Sequence, residues 1–87
     1  MNKFSEYPYC FEVTTNLNKT IYVYTKESGY TFLTFAFEDK NGEIQTGRYE
    51  KNSIDVKILI SAFLQEFGII VDSVKNAISN IEDEDNE

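Results

Sequence analysis

Eleven of the thirteen Phe and Tyr residues lie before residue 52, most of them in runs that alternate apolar and polar positions between short turn-forming stretches. Rings recurring with period two on a pleated backbone suit a half-buried sheet and fit a helix poorly. Tyr9, Phe11 and Val13 alternate with Cys10, Glu12 and Thr14, so a first strand is predicted over Tyr9–Thr15, opened by Pro8. Asn16-Leu17-Asn18-Lys19 reads as a turn. A second strand is predicted over Thr20–Lys26, with Ile21 and Val23 on one face and Tyr22 and Tyr24 on the other. Glu27-Ser28-Gly29 closes that hairpin. The third strand, Tyr30–Glu38, is apolar on both faces, which suggests a central or twice-covered position. Asp39-Lys40-Asn41-Gly42 is the sharpest local signal, because Asn-Gly tolerates the left-handed backbone of a tight reversal. The fourth strand, Glu43–Glu50, has weak alternation and an interior Gly47, read as a bulge. It suits an edge defended by Arg48, Glu50 and Lys51.

After residue 52 the pattern becomes helical. Asn52 or Ser53 is expected to cap a helix with Asp55 in its first turn. Ile58, Leu59, Ala62, Phe63 and Phe67 form one stripe, widened by Ile54, Ile60 and Leu64. Gly68 is placed to end this helix. Ile69-Ile70-Val71 leaves linker, strand and helix open. Val74, Ala77, Ile78 and Ile81 then share a helical face, so a second helix is predicted over residues 73–81, started by Asp72. The expected fold class is α+β: a four-stranded antiparallel β-meander followed by C-terminal helix, in two segments broken near Gly68, packed on one sheet face. Phe11, Val13, Ile21, Val23, Leu33, Phe35 and Phe37 are predicted to lie beneath the helix. At 87 residues the chain is one small domain, 1–81, with an acidic, disordered tail, 82–87.

Charge is concentrated in that tail. The formal net charge is −7, yet residues 1–81 hold ten acids against eight bases, while residues 82–87 hold five acids and no base. The bases are scattered singly, without the basic stripe that displaces counterions from a phosphate backbone, so direct binding of nucleic acid is not expected. The N-terminus lacks an apolar signal core, and no apolar run approaches the roughly 18 residues of a membrane span. A cytoplasmic location and no membrane contact are therefore expected.

Catalytic constellations are missing from the sequence. Without histidine there is no Ser-His or Cys-His pair, and one cysteine cannot build a common zinc site. The four glycines are isolated, so no phosphate-binding loop is present. Neither enzyme activity nor any cofactor or metal is expected. Cys10 reads as a buried hydrophobe, since nothing basic lies beside it in sequence to form a thiolate.

What remains is binding. Tyr22, Tyr24 and Phe32 are predicted to cluster on the sheet face away from the helix, with Glu12 beside them, and tyrosine is a favoured interface anchor. These residues, with Glu82, Asp83, Glu84 and Asp85 of the tail, are the candidate partner-binding set. A small acidic domain of this kind suits an inhibitor or antagonist of a protein with a basic surface, such as a nucleic-acid-handling enzyme, as phages deploy against host defence. A toxin-neutralising immunity protein or antitoxin fits the same physics. A homodimeric structural or accessory protein is the third reading.

Overall fold

A computed structural model of the chain describes residues 3–51 and 55–79. Six strands and one helix follow one another as β1 (Tyr9–Thr15), β2 (Thr20–Ser28), β3 (Phe32–Glu38), β4 (Ile44–Glu50), α1 (Val56–Gln65), β5 (Val71–Val74) and β6 (Ile78–Ser79). They form one antiparallel sheet in the order β4-β3-β2-β1-β5, with β6 also pairing β1. The class is thus mostly antiparallel β with one short helix.

Registers follow the hydrophobic alternation. Phe11 lies opposite Val23 and Val13 opposite Ile21, while Thr25 lies opposite Phe35 and Leu33 opposite Tyr49. These side chains share the face that α1 covers. Leu59, Ile60, Phe63 and Leu64 of α1 complete the main core with Phe11, Val13, Val23, Phe35 and Phe37; Ile21 and Leu33 pack against it half-buried. Phe63 is fully buried and meets the rings of Phe35, Phe37, Tyr49 and Phe67 at centroid distances of 5.8, 5.7, 6.2 and 5.5 Å.

Several elements differ from the sequence expectation, each for a physical reason. Gly47 is not a bulge, because the β3–β4 register runs unbroken through the Phe35–Gly47 pair. Glycine is required there because a Cβ would sit 2.8 Å from the Phe63 ring. The irregularity in the sheet falls instead between Thr14 and Thr15, where β1 meets β5. Asp55 is the N-cap of α1 rather than a first-turn residue, and its carboxylate accepts from Lys57 N at 2.9 Å. The proposed caps Asn52 and Ser53 lie outside the described residues, as does Ile54. The buried stripe of α1 is Leu59, Ile60, Phe63 and Leu64; Ile58 and Ala62, expected within it, face outwards.

The largest difference lies after Gly68. No second helix forms over the described part of 73–81. Residues 71–74 and 78–79 are instead short strands on the outer edge of β1. They give β1 the partner that its backbone donors and acceptors would otherwise lack. Asn16 N donates to Ile70 O at 2.9 Å and Lys75 N to Glu12 O at 2.8 Å, tying both ends of β5 to β1. The sheet therefore has six strands instead of four.

The second sheet face is also covered in part. Residues 3–6 make a turn, closed by Tyr7 N donating to Phe4 O, that lies over Tyr24 and Ala36. Phe4 stacks on Tyr24 at 4.0 Å and 5°. Lys3 pairs with Glu38 and Lys26 with Glu6, and the Lys26 ammonium stands 4.8 Å from the Tyr7 ring centre. This explains why β3 is apolar on both faces, with Ala36 as inaccessible as Phe35.

Candidate protein-interaction site

Three loops converge at one end of the sheet. In the β1–β2 turn, the Thr15 hydroxyl accepts from Leu17 N and Lys19 N, both at 3.2 Å, and Thr15 N donates to Lys19 O. Asn18 takes the left-handed conformation, φ 63°, that this tight turn needs. Thr15 is buried to organise the turn, while Leu17 is pushed out and stands 72% exposed. The α1–β5 connection begins with a Schellman closure. Gly68, at φ 79°, donates from its N to Gln65 O at 3.0 Å, and Ile69 N donates to Leu64 O at 3.1 Å. That closure turns the chain sharply and leaves Phe67 40% and Ile70 49% exposed. The β3–β4 turn is built on Asp39, whose carboxylate accepts from Asn41 N, Glu43 N and Gln45 Nε2, each at 2.9 Å. These bonds hold the Asp39 carboxyl below the usual carboxylate range, led by the one from Gln45.

Between the loops lies an open groove of about 590 Å³. Leu17, Ile21, Phe37, Phe67, Ile69 and Ile70 supply its apolar walls, and Lys19, Lys40, Glu38 and Asp39 its charged rim. Phe37 and Phe67 meet edge to face at 5.3 Å in its floor. A smaller recess of about 260 Å³ opens on the other sheet face, lined by Phe4, Tyr22 and Tyr24. The two share Thr20, Glu38 and Asp39, so one end of the sheet presents a continuous dented surface.

The sequence-predicted site residues are separated by this fold. Tyr22, 47% exposed, and Tyr24 do share the face away from α1, but Tyr24 is half-buried under Phe4. Tyr24 lies opposite Ala36, four positions along β3 from Phe32. That spacing is about 13 Å, so Phe32 does not join the tyrosines. The Arg48 guanidinium covers it instead, 4.2 Å from its ring centre. Glu12 lies opposite Tyr22 and faces Lys75 at 3.8 Å. Glu82, Asp83, Glu84 and Asp85 lie outside the described residues.

Leu17, Phe67 and Ile70 were missed by the sequence reading. Their signal was an apolar residue inside a polar turn, and apolar residues flanking the glycine that ends a helix. Singly such residues are ordinary on a protein surface, and it is their grouping around one concavity, which only the assembled fold creates, that sets them apart.

Burial pushes the Cys10 thiol up, with the Glu12 charge adding and a hydrogen bond with Tyr24 opposing. Burial likewise pushes the Tyr24 phenol up. The Tyr49 phenol, which bonds to the Glu66 carboxylate, is pushed up to about 12, first by burial and then by that bond. Among the described residues no three His, Cys, Asp or Glu side chains are grouped to hold a metal ion, and no helix is long and apolar enough to cross a membrane. No family model, curated protein or solved structure matches the chain.

Proposed function

We propose that the protein acts by binding another protein, as an inhibitor or antagonist that covers part of its target, and that it docks through the groove at the loop end of the sheet. The observation that carries this reading is the convergence of Leu17, Phe67 and Ile70, from two separate loops, around an open apolar groove. A small domain has little apolar area to spare, and exposed apolar side chains gathered around a concavity suit an inserted anchor from a partner. Each apolar anchor buried there contributes about 1.5–3 kcal/mol. The mixed rim adds orientation more than affinity. The acidic run at 82–85 supports a target with a basic surface, which it would steer at low ionic strength. Tyr22, in the adjoining recess, extends the same surface.

The test is affinity capture of the target followed by binding titrations. The variants are Leu17→Asp, Ile70→Asp, a 1–81 truncation, and Tyr30→Ser as a control at the far end of the sheet. Binding is expected to fall at least about tenfold for each groove variant and to persist for Tyr30→Ser. The truncation is expected to weaken binding mainly at low salt. A target bound equally well by both groove variants, each still folded, refutes the docking site.

A further inference from the structure

The outer edge of β4 is open among the described residues, and its backbone and charges are self-complementary. Lys51 N donates inwards to Thr31 O at 2.7 Å, and Glu43 O accepts inwards from Asp39 N at 2.8 Å. Since the β3–β4 register is unbroken, alternation directs the N–H and C=O groups of Gly47 and Tyr49 to β3. Those of Ile44, Thr46, Arg48 and Glu50 point outwards, ready for another strand. Arg48 and Glu50 are both exposed, share one sheet face, and make no ion pair with any described residue. The Arg48 guanidinium rests over Phe32 of β3, so it turns outwards from that ring to meet a strand added at the free edge.

We propose that β4 pairs antiparallel with β4 of a second copy of this chain, about a two-fold axis at Tyr49. That register sets Arg48 opposite Glu50 of the second copy, and by symmetry Glu50 opposite Arg48. Both are outward-facing residues, so each opposed pair exchanges two backbone hydrogen bonds as well as opposite charge. Tyr49 then meets its own copy at a non-hydrogen-bonded position, where side chains approach most closely and aromatic pairs are favourable. A register centred on Gly47 would place Arg48 opposite Thr46 and Glu50 opposite Ile44, without charge matching. Among the described residues that register pairs only 47–51 of each copy, so the contact is small and the dimer is a weak one. At about 0.15 M salt, the Debye length of about 8 Å screens most of the repulsion between two chains of net charge −7. The touching pairs are screened less. This inference is independent of the groove.

Sedimentation equilibrium of the full chain, up to about 1 mM at that salt concentration, tests it. Self-association is expected to weaken at least about tenfold in Arg48→Glu and in Glu50→Arg, each of which opposes like charges twice, and to recover in the Arg48→Glu/Glu50→Arg double variant. Amide exchange at Arg48 and Glu50 is expected to slow with concentration, while Gly47 and Tyr49 stay protected throughout. A monomer at about 1 mM overturns the proposal. A dimer indifferent to the single charge reversals, or not recovered by the swap, overturns it too. Unchanged circular dichroism in the variants separates these outcomes from misfolding.

Discussion

Replacing Gly47 with alanine adds one methyl group to a position where the backbone is ordinary and the space is taken. On propensity alone the change should help, since alanine orders the unfolded chain less expensively by about 0.4–1 kcal/mol. The geometry opposes it. The new Cβ would lie 2.8 and 2.9 Å from two ring carbons of Phe63 and 3.1 Å from the Tyr49 ring. Phe63 has nowhere to retreat, because it is fully buried and ringed by Phe35, Phe37 and Phe67. Overpacking of this kind costs about 1–3 kcal/mol. At the middle of both ranges the net expectation is a loss of about 1.3 kcal/mol, or a fall in Tm of about 5–10 °C for a domain of this size. Urea titration with circular dichroism measures it. Phe63→Leu opens space at the same point, so Gly47→Ala should cost less in that background. The double-mutant cycle should then give a favourable coupling of at least about 0.5 kcal/mol. A Gly47→Ala variant as stable as the parent, or additive with Phe63→Leu, would refute the argument that ring contact selects glycine here.

Three further outcomes are expected. Asp55→Ala removes the carboxylate that accepts from Lys57 N and should cost about 1 kcal/mol in urea titration, whereas Asp55→Ser should recover most of it. Tyr49 has a folded pKa of about 12 against an ordinary 10, so the unfolded chain loses this proton first. The resulting stability is present in full below about pH 10 and declines as pH rises towards 12. The urea midpoint should therefore fall more steeply over that window in the parent than in Tyr49→Phe; parallel profiles would exclude the effect. Phe4→Ala unstacks the N-terminal turn from Tyr24 and should cost about 1–3 kcal/mol, less than a central Phe because residues 3–8 can release locally. It should also speed labelling of the Cys10 thiol, which hydrogen-bonds with Tyr24; an unchanged rate would show that the turn does not shield that face.

The first two strands were legible from period-two alternation, and the third and fourth from β-forming residues between turns whose residues permit positive φ. Tyr9–Thr15 was read to the residue, and the seven sheet residues expected beneath the helix all lie in or against the main core. The candidate site was less legible. Alternation places Tyr24 and Phe32 on one face, but it does not show that Phe4 folds back over Tyr24 or that Arg48 covers Phe32. Those contacts depend on residues far apart in the chain. The segment after Gly68 shows the same limit most clearly. Val74, Ala77 and Ile78 repeat at helical spacing, yet only nine residues carried the predicted helix, and isolated helices below about 12–15 residues are marginal in water. The competing conformation offered the open edge of β1, where Ile70 O and Lys75 N find backbone partners, and a place for Val71 and Val74 against the core. Local period is a weak force beside an unfilled sheet edge, and whether an edge is unfilled is a property of the assembled sheet. By the same reasoning β4, the other edge, is where the search for a partner strand should begin.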